Sequence, residues 1–284
     1  MLTSLVLTLE APAPALVPRH LGRASHALLL RLIGERETGL SAELHDSSGP
    51  RPFTCSDLLG ARGVGAARQL SPEQPLWLRY TGLSEAVSQH LVALAAAPPE
   101  CVDLDGQRLM ITTATLDPAR HPWAGMESYR SLCDRHLHAP GPPTRRLEMV
   151  HASPTTFRSQ GTNIPLPLPY LVFGSLLGRC QALAPVAVSP DTRRYVQEMV
   201  VLSRYRLRTR SVQLEGGALQ MGFVGQSGYA LLNADRYWAN VLSLLTAYSF
   251  YAGLGAHTTM GMGQTRPLAR AQAPKQGSSW AGSG

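Results

Sequence analysis

Lysine is almost absent from this chain of 284 residues, which carries a formal net charge of +7 at pH 7. The one lysine is Lys275, so the positive charge comes from arginine. No lysine of the folded region is therefore available as a general acid or base, and arginine, whose pKa is ordinarily above ~12, is a poor proton donor. The charge favours a polyanionic partner such as RNA, DNA or an anionic lipid, and a basic composition without function is the alternative.

Cysteine is scarce and forms no motif. The chain has four cysteines without C-x-x-C spacing, namely Cys55, Cys101, Cys133 and Cys180. Their spacing argues against a zinc site and a disulfide framework, and it favours the reducing cytoplasm. The N-terminus lacks the basic and apolar regions of a signal peptide. The stretch 237–265 has no charged residue, but it contains Asn240 and ends in glycines, which indicates a buried helix instead of a membrane span.

Apolar patterns of strand and helix period follow one another in an order that occurs twice. The first half is predicted to contain strands at 2–10, 75–82 and 107–117, with helices at 23–35, 84–97 and 126–137. The second half is predicted to contain strands at 145–152, 204–214, 219–232 and 261–268, with helices at 170–183, 189–200 and 233–253, the last capped by Asn233. The order indicates an α+β protein with two tandem ferredoxin-like βαββαβ domains.

The segment APGPP is the best linker candidate in the chain. It divides the chain into an N-terminal domain at 1–138, a linker at 139–143 and a C-terminal domain at 144–270. The remainder, 271–284, is rich in Gly, Ser, Gln and Ala and is predicted to be disordered.

A row of arginines alternates along one predicted strand. With a period of two, one face of that strand carries Arg204, Arg206, Arg208 and Arg210. Guanidinium groups in a row repel one another unless an anion lies between them, and their planar fork suits phosphate oxygens. The row predicts contact with RNA or DNA, with a solvated outer face as the alternative. A twist or bulge is expected after Ser211, where Val212 takes the arginine face.

The stretch GLGAHTTMGMGQ, which we call the glycine loop (Gly253–Gln264), follows the last predicted helix and precedes a strand. A dinucleotide fingerprint requires the opposite order, and a Walker loop requires a Gly-Lys pair that is missing. A phosphate backbone or a bare tight turn remain as alternatives. If the loop binds a phosphate backbone, its N–H groups and hydroxyls contact RNA. The predicted contact residues are Gly253, Gly255, His257, Thr258, Thr259, Gly261 and Gly263.

The nine histidines are the other chemical resource, because imidazole transfers protons near neutral pH. His136 and His138 lie two residues apart, but no convincing ligand set accompanies them, so no metal site and no cofactor is predicted. His26 falls on the helix face of Leu29 and Ile33, where a packed histidine is the alternative to a functional one. From its surroundings alone, His45 is predicted to be a histidine in a surface loop.

Several segments together resemble the Cas6 family, the CRISPR-associated repeat-processing endoribonucleases of the RAMP superfamily. LHDSSGPRPFTCSDLLG at 44–60 resembles the family's LH…GPK-x-FT-x-S segment. HASPTTFRSQGTNIPLPLPYLVFGSLLGR at 151–179 resembles its central segment, and GFVGQSGYALL at 222–232 resembles the strand before the last helix. YAGLGAHTTMGMGQTR at 251–266 resembles its C-terminal glycine-rich loop. The segments span nearly the whole chain in the right order.

The resemblance implies metal-independent cleavage of CRISPR repeat RNA in precursor transcripts. The ribose 2′-OH attacks the adjacent phosphorus, which leaves a 2′,3′-cyclic phosphate and a 5′-OH. The implied partners are precursor and mature guide RNA and other CRISPR effector subunits, with no membrane and no cofactor.

The resemblance also orders the candidate catalytic residues. His45 matches a histidine that is catalytic in some members, and Arg51 stands where they carry a lysine that assists the transition state. Their tyrosine falls here on Leu30. Other members place the catalytic histidine on the first helix, near His26, so we rank His45 first, His26 second and His20 third.

Two other functions compete with this one. A non-catalytic RAMP subunit that binds guide RNA is favoured slightly by the missing tyrosine and lysine, whereas the LHD and SPTTF segments favour the processing enzyme. A small-molecule enzyme that binds a nucleotide at the glycine loop is disfavoured by the position of that loop after a helix.

Overall fold

The computed structural model describes residues 1–46, 49–64, 67–213, 218–233 and 235–268. The helices are α1 (Gly22–Gly34), α2 (Thr38–Asp46), α3 (Glu85–Ala96), α4 (Tyr129–Leu137), α5 (Pro169–Leu183), α6 (Thr192–Met199) and α7 (Arg236–Ala252). The strands are β1 (Leu2–Glu10), β2 (Ala15–Pro18), β3 (Phe53–Cys55), β4 (Arg62–Val64), β5 (Ala67–Leu70), β6 (Leu76–Gly82), β7 (Cys101–Leu104), β8 (Gln107–Thr115), β9 (Gly125–Glu127), β10 (Arg146–Thr155), β11 (Phe157–Ser159), β12 (Thr162–Ile164), β13 (Val200–Gln213), β14 (Leu219–Leu231) and β15 (Thr265–Pro267).

The first sheet has the strand order β3-β6-β1-β8-β7, with antiparallel pairs throughout. Its principal strands β1, β3, β6 and β8 are the first, second, third and fourth of a ferredoxin-like unit, because α1 follows β1 and α3 follows β6. Alternate residues of β1, from Leu5 to Leu9, lie in one core cluster, and Val6 packs in another beside Trp123. Both faces of β1 are therefore covered, which explains its almost continuous apolar sequence.

The second sheet has the strand order β13-β14-β10-β15. In chain order these strands are the second, third, first and fourth, with α5 after the first and α7 after the third, so the ferredoxin-like order occurs again. The apolar core of this unit includes Tyr229 of β14, whose ring meets Phe173 of α5 edge-on at 5.2 Å. The predicted α+β class with two tandem ferredoxin-like domains is confirmed. The boundaries at 138 and 144 stay predictions.

Several elements differ from the sequence prediction. The structure adds α2, β3, β7 and two small sheets, of β2-β5-β4 and β11-β12. Met126 lies in β9, and the predicted helix at 126–137 begins only at Tyr129. The cap of α7 is not Asn233 but Asp235, whose carboxylate accepts from the N–H groups of Tyr237 and Trp238. The predicted disordered tail, 271–284, and the turn at 215–217 lie outside the described residues.

The two sheets are joined through Arg79 of β6, which is fully buried. Its guanidinium donates to Ser4 Oγ at 2.8 Å, to Gln264 Oε1 at 2.6 Å and to the Phe250 carbonyl. It also lies over the Phe250 ring, 4.5 Å from the centroid. Burial lowers the pKa of Arg79 to about 9. A cation from the first sheet is thus held by acceptors from both halves of the chain.

The last helix, α7, is lined by buried residues on most sides and forms part of the second core. None of the helices in the described ranges has the length and apolar character that a bilayer span requires.

Candidate functional site

The glycine loop is a packed segment, with four glycines in the left-handed region. The φ angles are +65° at Gly253, +77° at Gly255, +86° at Gly261 and +71° at Gly263. A Cβ atom at Gly255 would lie 2.2 Å from the carbonyl oxygen of Thr156. These positions therefore require glycine both for backbone conformation and for close approach of another segment.

The N–H groups of these four glycines are already engaged inside the protein. Gly255 donates to Ser175 Oγ at 3.1 Å, Gly261 to the Cys55 carbonyl at 3.1 Å and Gly263 to the Pro154 carbonyl at 3.0 Å. Gly253 donates to the Ser249 carbonyl at 3.0 Å. These N–H groups are therefore used in packing the loop, and contact of the four glycines with RNA stays a prediction.

The hydroxyl of Thr258 is likewise buried, and it accepts a hydrogen bond from Arg179 at 2.7 Å. By contrast, His257 is exposed with φ +57°, and Thr259 is half-buried. Burial, followed by the charge of Arg158, lowers the pKa of His257. Of the predicted contact residues in the loop, His257 is exposed, Gly255 and Thr259 are half-buried, and the others are buried.

The loop also joins the two halves of the chain. The N–H of Cys55, at the end of β3, donates to the Thr258 carbonyl at 3.1 Å, and Cys55 accepts from Gly261. Ser56 forms a parallel bridge with Gly261. The loop backbone is therefore attached to the edge of the first sheet, beside α1.

His26 lies on α1 where that helix meets the loop. Its ring centroid is 5.5 Å from that of Phe53 in β3, and the backbone of Thr259 lies close to its ring. Burial is the main cause that lowers the pKa of His26; the Thr259 backbone opposes it, and the charges of Arg51 and His45 add to it. The structure thus brings the first two candidate histidines and Arg51 into one group, which we call the histidine cluster (His26, His45 and Arg51).

The members of the histidine cluster differ in exposure. The Nδ1 atom of His26 is buried and has no hydrogen-bond partner among the described residues. The side chain of His45 is 75% exposed, with Nδ1 3.1 Å from Asp46 Oδ1. His45 can therefore reach a substrate from outside, whereas His26 is half-buried.

His45 lies in the last turn of α2, and the prediction of a loop position is wrong. The guanidinium of Arg51 donates to the carbonyls of Leu44 and His45, the second at 2.9 Å. Because the last carbonyls of a helix have no partner within it, a cation at this position stabilises the helix end. Arg51 therefore fixes the turn that carries His45 and places a positive charge beside it.

His20, the third candidate, has both ring nitrogens occupied by Asp57 and by the Met260 carbonyl. His136 and His138 lie at the end of α4. Over the described ranges, no three His, Cys, Asp or Glu side chains converge as a metal-binding group.

The arginine row lies on β13, at the outer edge of the second sheet. All four side chains are exposed. Arg204 pairs with Glu148 at 3.3 Å, and within the described part of the chain the other three have no acidic partner. The pairing with β14 is regular from Arg204 to Gln213, and its register shift lies between Leu202 and Arg204. The bulge expected after Ser211 is therefore not in the β13–β14 ladder.

An open cleft of about 730 Å³ lies between α1, the end of the β13–β14 hairpin and the glycine loop. Its walls include Arg23 and Ala27 of α1, Gln213 of β13, and His257. Because Arg23 precedes His26 by almost one helical turn, the cleft passes near His26, although no residue of the histidine cluster lines it. The arginine row continues along β13 from the Gln213 wall.

Comparison with known proteins identifies the family. The model of the CRISPR Cas6 N-terminal domain matches residues 1–134, and that of CRISPR-associated endoribonuclease Cas6 matches residues 149–265. The Cas6 endoribonuclease of Streptococcus thermophilus is 32% identical over 120 residues, which are 41% of this chain and 48% of that protein, so the match spans about half of that relative.

Solved structures match over nearly the whole chain. The Cas6 (TTHA0078) product complex is 31% identical with a TM-score of 0.75, covering 94% of this chain and 99% of that one. The Cas6 (TTHB231) product complex, a Thermus thermophilus protein, is 27% identical with a TM-score of 0.78, covering 94% and 100%. The two halves of the chain thus match the two parts of one family, and the chain belongs to the Cas6 family of CRISPR-associated endoribonucleases.

Proposed function

We propose that this protein cleaves CRISPR repeat RNA in precursor transcripts and thereby releases guide RNAs. The observation that carries the proposal is the histidine cluster, which places an exposed histidine and an arginine beside the glycine loop in a chain of this family. The cysteines are free, which supports action on transcripts in the cytoplasm.

The proposed reaction uses the RNA's own 2′-hydroxyl as the nucleophile. Its oxygen forms a bond to the adjacent phosphorus while the bond from phosphorus to the 5′-oxygen breaks. The 2′-proton passes to a base, and an acid gives a proton to the departing 5′-oxygen. The products are a 2′,3′-cyclic phosphate and a 5′-OH, and neither a cofactor nor a metal ion is required.

We assign proton transfer to His45, because its imidazole is exposed and lies on a turn fixed by Arg51. General acid–base catalysis of this kind contributes ~10²–10⁴-fold to a rate. Arg51 stabilises the negative charge that develops on the phosphorane, and it does so without donating a proton. His26 supports His45 from behind, since its free nitrogen is inaccessible.

The substrate is held along the cleft by positive charge. The unpaired members of the arginine row lie on one exposed strand, where successive guanidinium groups can follow a phosphate backbone. His257 and Thr259 provide the loop's contacts with RNA.

The proposal is tested by incubating the protein with a CRISPR repeat RNA in EDTA. A matched RNA with a single 2′-deoxyribose at the scissile position serves as the control. We expect cleavage of the first RNA and none of the second. Cleavage of the deoxy RNA would exclude attack by the 2′-oxygen, and loss of cleavage in EDTA would exclude the metal-independent reaction.

His45→Ala should lower the single-turnover rate by ~10²-fold or more without changing RNA affinity. His138→Ala is the matched control, because His138 is also exposed at a helix end and lies near an aspartate, 3.5 Å from Asp134. An RNA with a sulfur in place of the scissile 5′-oxygen separates the two roles of His45. Since the sulfur leaves without protonation, this RNA restores the variant's rate only if His45 is the acid.

The alternative is a subunit that binds guide RNA without cutting it. Leu30, which occupies the place of the family's tyrosine, is buried in the core of the first unit and cannot supply a hydroxyl. Tight binding of repeat RNA with no cleavage under any of these conditions would favour that alternative.

A further inference from the structure

Three separate segments of the chain meet at Asp57, which lies just after β3. Its Oδ1 accepts from the N–H of Leu21 at 2.8 Å and from Arg68 at 2.9 Å, and its Oδ2 lies 3.1 Å from His20 Nδ1. Burial alone would raise the pKa of Asp57, but the His20 hydrogen bond and the charges of Arg68 and His20 outweigh it and lower that pKa. The carboxylate thus holds the residue before α1 and the ring of His20.

The other nitrogen of His20 reaches the glycine loop. His20 Nε2 lies 2.8 Å from the carbonyl oxygen of Met260, and the side chain of His20 is 11% exposed. A carbonyl oxygen and a carboxylate only accept hydrogen bonds, so both ring nitrogens donate in this geometry. His20 therefore ties Asp57 to the loop, and we call this connection the His20 link (Asp57, His20 and Met260).

The contacts around the His20 link leave no room for adjustment. A Cβ atom at Gly22 would lie 2.1 Å from the Met260 carbonyl oxygen, and one at Gly261 would lie 2.9 Å from His20 Cε1. The first residue of α1 is thus in direct contact with the loop. The N-terminus of α1 and the loop backbone therefore keep a fixed position relative to each other, which we call their register.

This register determines what lies under His26. Gly22 and His26 are four residues apart on α1, so they share a helix face. Met260 contacts the first of them, and the backbone of its neighbour Thr259 lies close to the ring of the second. A shift of Met260 away from Gly22 therefore moves Thr259 away from His26, which supports His45.

We propose that His20 and Asp57 are positioning residues for RNA cleavage, which hold the loop backbone in the register that keeps His26 in place behind His45. The proposal rests on the cleavage activity proposed above. Neither residue is assigned contact with the RNA.

Two substitutions of His20 separate the loop contact from the Asp57 contact. The amide of His20→Gln is long enough to replace Nε2 and donate to the Met260 carbonyl. The amide of His20→Asn replaces Nδ1, so it keeps the bond to Asp57 but is too short for Met260. We expect His20→Asn to slow single-turnover cleavage by roughly 10- to 100-fold with unchanged RNA affinity, because a misplacement of about 1 Å has effects of this size. His20→Gln should cleave near the wild-type rate. Equal rates in the two variants would overturn the proposal.

A second measurement is independent of cleavage. In protein labelled at histidine with ¹⁵N, the ring resonances of His26, assigned by His26→Ala, report the Thr259 contact without RNA. They should shift in His20→Asn and stay in place in His20→Gln; unchanged His26 resonances in His20→Asn would contradict the His20 link. If the wild-type protein does not cleave repeat RNA, the proposed function fails, and this measurement still decides whether His20 positions the loop.

Discussion

The arginine row permits a quantitative test of RNA binding. Arg206 and Arg208 are exposed, unpaired within the described residues, and two positions apart on one face of β13. We expect Arg206→Ala/Arg208→Ala to bind repeat RNA more weakly and with less dependence on salt. Arg204 is left unchanged, because Glu148 already neutralises part of its charge.

The expected size follows from the release of counterions. Each phosphate contact contributes about 0.9 to the slope of log K against log salt for a duplex and about 0.7 for a single strand. Two lost contacts therefore reduce the magnitude of the slope by about 1.4 to 1.8. Extrapolated from 1 M to 0.1 M salt, this corresponds to a Kd that is ~25- to 60-fold higher.

The assay is filter binding or fluorescence anisotropy of a labelled repeat RNA between about 0.05 M and 0.3 M salt. It uses a background in which cleavage is blocked, such as His45→Ala. Arg193→Ala/Arg194→Ala is the control, since it removes the same charge from the exposed side of α6. The control should keep the wild-type slope. If both double variants change the slope equally, net charge explains binding and the arginine row does not.

Three further predictions concern stability. Arg79→Met leaves Gln264 Oε1 and the Phe250 carbonyl without their donor, at a cost of ~1–3 kcal/mol for each buried acceptor. In denaturant unfolding, the free energy of unfolding should fall by about 2–6 kcal/mol. An unchanged midpoint would contradict this. Gly255→Ala should lower Tm, because its φ is +77° and its Cβ meets the Thr156 carbonyl, whereas Gly174→Ala, with nothing near its Cβ, should not. The pKa of Asp57 is lower in the folded protein than in the unfolded chain, where it is ~3.9. Ionised Asp57 therefore stabilises the fold fully above pH ~3.9, and this stabilisation is lost as the pH falls through the pKa of the folded state. The Tm difference between wild type and Asp57→Asn should therefore shrink from pH 7 to pH 3, and a constant difference would refute the assignment.

The long elements could be predicted from the sequence because their patterns are local. β1, β13, β14 and α7 each carry enough periodic residues to be identified without tertiary information. By contrast, α2 has nine residues and includes Gly39, and its end is stabilised by Arg51 from outside the helix. Asn233 and Asp235 are equally good cap residues, and only the folded geometry selects the second.

The candidate site could be predicted only in part. Resemblance to the family indicated His45, His26 and Arg51 one at a time, while their proximity depends on how α1 and α2 pack beside β3. The glycines of the loop indicated backbone freedom, but the N–H partners of Gly263 and Gly261 lie about one hundred and two hundred residues away in sequence, at Pro154 and Cys55. The pairing of Asp57 with His20 has no local pattern at all.

The attachment of the glycine loop to β3 and α1 has a consequence for synthesis of the protein. Residues 20–57, which carry all three histidine candidates, leave the ribosome long before Thr259 and Met260. Until those two residues emerge, His26 lacks its backbone contact and His20 lacks its carbonyl partner. The histidine candidates are therefore made early in translation, and their contacts with the glycine loop form only after the much later loop has emerged.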